Sequence, residues 1–463
     1  MVLKPASGKY VKKSLKYSIL DGAFYASMVG FGESFFSAFA VFLRATSTQL
    51  GLLGSLPQTI GALLQLFSSK LLMHFKSRKS LSVVFSSLQA LMYLFVALVF
   101  FFGELKVWLL ILFVCLYWAF STLITPAWSS WMGDLVSEKS RGEYFGRRNK
   151  IAGFVTFATF TAGGYLLQEF ADGTTTQYLG FVVLFFLALV SRIISTVYLS
   201  RQYEPDYVVD KKLQFSFWQF LKEARFHNYG LFVIYLGFMN LAVYIASPFF
   251  TPYMLEHLGF DYATFTIVTA TALVVKFITM PIWGKLSDKY GTKKVLAASG
   301  FLMPIVPILW IFSHDVLYLI AIQAYSGFAW AGFEVASFNF IFDSTSREKR
   351  ATCVAYYNVV VGLLIFVGAM LGSALLKFIP DVTGYFVVFL VSYVARSLTS
   401  IFFLPHLRER REVSRISYRK LVFKAVSMLP TAGMVSHLVT FGRDEVVKLE
   451  HAVMHKSRKK AKK

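Results

Sequence analysis

Long apolar runs separated by short polar stretches dominate this chain. They lie near 18 to 43, 49 to 72, 81 to 103, 107 to 131, 146 to 170, 177 to 200, 227 to 254, 262 to 286, 293 to 313, 316 to 341, 351 to 378 and 383 to 404. Each reaches the roughly 20 residues that a helix needs to cross the hydrocarbon core of a bilayer. None keeps the strict alternation of a barrel strand, and a spanning segment must satisfy its own backbone, so the pattern predicts about twelve transmembrane helices. Composition agrees, with 56% hydrophobic and only 16% charged residues in 463. That is more apolar surface than a soluble core of this size requires.

The pattern also repeats. Asp134, Arg141, Asn149, Gly153, Phe157, Gly163 and the pair Leu166 and Leu167 recur as Asp343, Arg350, Asn358, Gly362, Phe366, Gly372, Leu375 and Leu376. The offset is constant at about 209 residues, as expected of the duplicated halves from which many secondary transporters are built. Gly180 and Arg192 match Gly384 and Arg396 in the same way. The chain therefore divides into a basic N-terminus (1–16), a first half (17–200), a central linker (201–226), a second half (227–404) and a basic tail (405–463).

A net charge of +22 raises the question of nucleic acid, but its distribution excludes that partner. Assigning loops alternately to two sides leaves only Arg44, Lys106 and Lys377 opposite the bulk of the 47 Lys and Arg. The positive-inside rule then places both termini in the cytoplasm, in a plasma or inner membrane with anionic lipid at the basic face. Lys4 to Lys16 precede a first run that is long and lacks a small-residue cleavage site, so it reads as a retained helix. Cys115 and Cys353 fall inside runs and act as small apolar side chains. In the tail, Arg411, Arg415 and Arg419 interleave with Tyr418, Val422, Val426 and Leu429, a basic amphipathic helix expected to lie on the inner leaflet. In the linker, Phe215 to Leu221 is apolar enough to lie along the membrane surface. His451 and His455 stand four apart without a third ligand nearby, so no metal or cofactor is expected. No nucleophile, base or phosphate-binding loop forms a catalytic set, which argues against an enzyme.

Between the eighth and ninth runs stands Gly284-Lys285-Leu286-Ser287-Asp288-Lys289-Tyr290-Gly291-Thr292-Lys293-Lys294. It resembles the signature loop of the major facilitator superfamily, G-x-L-x-D-[RK]-x-G-x-[RK]-[RK], and the layout is similar from about residue 15 to 405. The resemblance implies an all-α membrane protein of twelve transmembrane helices in two pseudo-symmetric six-helix halves, both termini cytoplasmic. It further implies a monomeric secondary transporter working by alternating access. In the superfamily this loop helps lock the cytoplasmic side, a role the resemblance gives to Asp288, with Asp343 and Arg350 as partners. Read from the residues alone, Gly284 permits close helix packing, Gly291 a backbone turn, and Lys289, Lys293 and Lys294 an anchor at the interface. The first half departs from the motif: Met73 stands where the aspartate belongs and Lys76 where the second glycine belongs. The expected gate is asymmetric, resting on the second-half loop.

The repeated charges Asp134, Arg141, Arg192, Asp343, Arg350 and Arg396 are expected to form a structural network, with the two acid–arginine pairs bridging tight loops and Arg192 and Arg396 snorkelling or joining these acids. Unrepeated charges deep in runs are costly and point to a cavity or partner. Lys276 precedes Gly284 by about 12 Å of helix and Glu334 precedes Asp343 by about 13 Å, so the two share a depth and are expected to pair. Glu33, about 18 Å deeper than Asp21, has no charge partner nearby in sequence and suits a group that cycles between protonated and ionised forms. Glu334, Glu33 and Lys276 are therefore the proton-coupling or substrate candidates, with Asn240 and Trp330 as further lining residues. A free lysine would favour an anionic or zwitterionic solute. The competing reading is a transporter-like sensor, scaffold or lipid-handling protein, for which the basic tail is the main support.

Overall fold

The computed structural model describes residues 8–137, 141–205, 228–344, 350–409, 413–414 and 416–428. The linker from 206 to 227, the histidine pair, and Arg411, Arg415 and Leu429 of the tail lie outside the described residues.

Helices α1 (Gly8–Phe31), α2 (Phe36–Phe42), α3 (Ser47–Gln65), α4 (Ser68–Phe75), α5 (Arg78–Leu98), α6 (Lys106–Leu135), α7 (Arg141–Glu169) and α8 (Thr174–Ser200) form the first bundle. The second contains α9 (Asn228–Tyr244), α10 (Tyr262–Tyr290), α11 (Thr292–Leu302), α12 (Ile305–Leu309), α13 (Val316–Ser344), α14 (Arg350–Phe378) and α15 (Asp381–Phe403). A short helix, α16 (Tyr418–Ser427), follows. Local chemistry sets the starts. Thr46 and Gln49 make a reciprocal capping box on α3. Asp261 Oδ1 accepts the Thr264 amide at the head of α10, at 2.7 Å.

Ten stretches among the described residues are long and apolar enough to cross a bilayer, against the twelve expected. The difference has two physical sources. One stretch, Arg78–Leu135, runs for 58 residues but breaks at Phe102 and Gly103. Gly103 takes φ +53°, and α5 and α6 pack side by side instead of continuing as one rod. The other is α3, only 19 residues long, whose apolar character is diluted by Gln49, Gln58, Gln65 and Pro57 and further by the buried Ser55 and Thr59. Thr59 donates to the Gly362 carbonyl at 2.7 Å, while Ser55 donates to the Gly51 carbonyl of its own helix.

The two bundles meet along two seams, α3 on α14 and α7 on α10. The α3 seam carries Gln58 with Tyr244 at 2.8 Å and Asn358 with Gln65 at 2.8 Å. The α7 seam runs from Gln177 and Tyr262, 2.6 Å apart, down to Gly153 against the Phe277 ring. We call the end where α1 begins and α15 finishes the basic end, and the other, carrying Arg44, Gly173 and Gly259, the opposite end. At the opposite end one core joins both bundles: Phe39, Phe181, Tyr262, Phe249 and Tyr253 belong to a single buried cluster. Toward the basic end the cores separate, one built from second-bundle and tail residues and two only from the first bundle.

Candidate functional site

Lys276 on α10 donates to Glu334 Oε1 on α13 at 3.0 Å. The pair is not sealed: the side chains remain 24% and 39% accessible. Trp330, one turn before Glu334, stands edge-on to Phe333 at 5.9 Å. Asn240 donates to the Leu236 carbonyl of its own turn at 2.8 Å. The structure thus joins Lys276 with Glu334 and leaves Asn240 and Trp330 as half-buried wall residues.

Glu33 sits where the first span breaks. Helix α1 ends at Phe31, a 3-10 turn covers Glu33–Phe35, and α2 continues the span. Gly32 makes the break tight, because a Cβ there would meet the Tyr93 ring. Tyr117 donates to Glu33 Oε2 at 2.7 Å, and Tyr93 packs edge-on against Tyr117. Among the described residues no cation forms an ion pair with Glu33.

The signature loop is built differently from expectation at its first position. Nothing among the described residues lies within 4 Å of a Cβ placed on Gly284, so this glycine serves no close packing in this arrangement. Gly146 at the head of α7 is equally clear. Gly291 does need its freedom, with φ +98°. The exposed Asp288 and Lys289 lie in the last turn of α10, and Lys293 and Lys294 open α11. The side chains of Arg141, Asp343 and Arg350 lie outside what the structure describes, so the partners expected for Asp288 do too.

The tail covers this loop. Glu409 Oε2 accepts the Lys293 amide at 2.8 Å, beside Gly291, and the Ser414 amide donates to the Lys289 carbonyl. Arg408 and Asn228 exchange two hydrogen bonds at 2.9 and 3.0 Å. Lys424 donates to Tyr290 Oη at 2.7 Å, and Leu421 and Ala425 are fully buried. The helix thus turns Leu421 and Ala425 onto α10 and α11, a drier surface than the headgroup region, whereas of the row expected to face lipid Tyr418 stays exposed and Val422 and Val426 are half-buried.

The first half has a counterpart that sequence reading missed. Arg78 is fully buried and pairs with Asp134 and, at 3.5 Å, with Glu204. Glu204 also accepts the Arg78 amide at 2.7 Å and the Ser77 hydroxyl at 2.6 Å. Asp134 is thus held by Arg78 on another helix. The aligned loop keeps a left-handed residue as well, since Lys76 takes φ +55° where Gly291 takes +98°.

Arg192 and Arg396 do not snorkel. Both are buried. Arg192 donates to Ser195 at 2.9 Å, Ser195 donates to Asp21 Oδ1 at 2.7 Å, and Arg148 closes on Asp21 at 3.7 Å. Asp21 thus gathers Arg148, Ser195 and, through Ser195, Arg192 inside the first bundle. Arg396 instead reaches the carbonyls of Met303 and Val243, at 3.3 and 3.4 Å. Pro307, four residues after Met303, has no amide to offer that carbonyl, which accepts the Val306 amide at 3.3 Å instead, so the guanidinium adds a second donor at a helix break.

A profile described as Major Facilitator Superfamily matches residues 231–442. The nucleoside transporter NupG superposes with a TM-score of 0.62 at 13% identity, covering 86% of this chain and 98% of that one. The matched part of the chain, residues 231–442, belongs to the major facilitator superfamily. Another superfamily-like structure is a bacterial homolog of the human lysosomal transporter Spinster, in an inward-facing and unoccupied conformation, with TM-score 0.60, 13% identity and coverage of 88% and 100%. Among sequence relatives, Multidrug resistance protein 3 of Bacillus subtilis is 29% identical over 148 residues, 32% of this chain and 28% of that protein. Vacuolar basic amino acid transporter 1 of Saccharomyces cerevisiae is 26% identical over 186 residues, 38% and 31% of the two chains. The chain thus spans less than a third of the curated relatives named here.

Proposed function

We propose that this superfamily member is a secondary active transporter that moves a small apolar or cationic amphipathic solute by alternating access, coupled to protons. The observation that carries this is the arrangement of cores: shared at the opposite end, separate at the basic end, with clear space around Gly146 and Gly284. Such a molecule holds a cavity open to one side. With the orientation that the basic loops favour, that side is the cytoplasm of a cell membrane.

The solute class follows from charge. Lys276 is neutralised by Glu334, which removes the argument for an anion, while Glu33 lies among Tyr117, Tyr93 and Phe36 without a cation. A carboxylate set among aromatic rings suits an organic cation. The multidrug-resistance name of the Bacillus relative points the same way. Glu33 and Glu334 are the two carboxylates placed to exchange a proton as the site fills.

The test replaces Cys115 and Cys353 with alanine and introduces Gly146→Cys with Gly284→Cys. Closure of the basic end brings these positions together, so a short bifunctional reagent should join them in membranes while ethidium is being transported. Absence of cross-linking under every condition, with no ethidium movement in proteoliposomes, would support the scaffold reading.

A further inference from the structure

The first bundle contains buried polar groups that neither the cavity nor the gate uses. Along α5, Ser82, Ser86, Gln89 and Tyr93 recur at helical spacing and are all buried against α8. Ser86 and Thr196 touch through their hydroxyls at 3.0 Å. Because α5 and α8 run in opposite directions, that contact sets Gln89 level with Arg192. Among the described residues, both amide atoms of Gln89, Tyr93 Oη, Arg192 Nε and Ser82 Oγ find no hydrogen-bond partner. Buried polar atoms are seldom left so, and several in a row fit a string of bound water.

The row has ends. At one, Tyr93 packs 5.3 Å from Tyr117, which donates to Glu33. At the other, Arg192 leads through Ser195 to Asp21 and Arg148, near the basic end. Tyr25 flanks the row, with the Arg192 guanidinium 5.0 Å from its ring.

We propose that this seam between α5 and α8 conducts protons between Glu33 and Asp21 through water held by Tyr93, Gln89 and Arg192. The inference rests on the reading of Glu33 as a proton-coupling carboxylate. In the transfer, the Tyr117 hydroxyl turns away from Glu33, and the Glu33 proton passes to Tyr117 Oη as that hydroxyl releases its own proton to bound water beside Tyr93, which passes one to the Tyr93 hydroxyl. Tyr93 hands one on to the bound water in turn, and Asp21 takes one up from the water beside Ser195. One proton leaves Glu33, one arrives at Asp21, and each hydroxyl ends with the proton count it began with. Arg192 stays protonated throughout; it and Gln89 are positioning residues that orient the water. The route runs inside the first bundle, so the coupling proton and the solute need not share the cavity.

The experiment needs no identified solute. The full chain is reconstituted in lipid, given a rapid pH jump, and followed in the infrared at the carboxylic-acid carbonyl stretch, with the Glu33 band assigned by its loss in Glu33→Gln. Gln89→Leu, close in size and unable to bind water, should slow decay of that band by about tenfold or more, a change of at least 1.4 kcal/mol in barrier. Tyr93→Phe should do the same, and serves if Gln89→Leu fails to fold. An unchanged rate in a folded variant overturns the route. A wild-type spectrum with no band lost in Glu33→Gln overturns the reading of Glu33 itself, and the route with it.

Discussion

Lys276 and Glu334 meet at 3.0 Å where α10 and α13 almost touch. Gly327 allows this approach: a Cβ there would press into the backbone of Ala272 and Lys276. Lys276 thus serves both contacts: its backbone faces Gly327, and its side chain reaches Glu334, seven residues further along α13.

Glu334→Gln should fold, since the pair is partly open to solvent and its loss costs about 1 kcal/mol or less. Uptake of ethidium driven by a pH gradient should be abolished. Accumulation at the normal level in this variant would remove Glu334 from coupling and leave Glu33.

Arg78→Met should lower stability by about 3 kcal/mol, because it strips a fully buried cation from Asp134, Glu204 and the Pro205 carbonyl. Arg78→Lys should recover little, since an ammonium cannot fork between these acceptors. Thermal unfolding of the detergent-solubilised protein measures both; a melting temperature unmoved by Arg78→Met would show the cluster to be dispensable.

Lys76→Gly should stabilise by about 1 kcal/mol, the cost of holding a side chain in the left-handed region. A rise in melting temperature without loss of transport is expected. A fall would mean that the Lys76 side chain contributes more than its backbone strain.

Glu409→Gln weakens the tail's hold on the head of α11, and Gly291→Ala pushes against both Glu409 and Val413. Both variants should release α16, so trypsin cleavage at Arg419, Lys420 and Lys424 should accelerate several-fold. Equal cleavage in wild type and variants would show that α16 docks through Leu421 and Ala425 alone.

Much of this arrangement was legible in the sequence because it is written in depth along helices. The signature loop and the repeated Asp343 mark one membrane surface, and counting back from each set Lys276 and Glu334 at one level. Arg78 was not legible. Its partners, Asp134 and Glu204, lie far along the chain, and only folding shows that they converge. The tail shows a different limit. Its four-residue period picked out Tyr418, Val422 and Val426, whereas the face that the protein covers is set by Leu421 and Ala425, and periodicity does not say whether lipid or protein will cover a face. The repeat misled at Arg192 and Arg396, where equal spacing suggested equal partners. Asp21 serves the first, whereas backbone carbonyls serve the second.

The seam between α3 and α14 has its own consequence. Thr59 holds on to the Gly362 main chain, and small residues line the contact: Gly51 lies against Ala369, and Gly362 against Ala62. A hydroxyl bound to a carbonyl can exchange it for the next one along, and glycines offer no knobs to ride over. Slippage by one residue would thus leave the count of bonds unchanged, so this contact resembles a lubricated axle more than a weld, and substitutions that roughen it should slow turnover before they lower affinity.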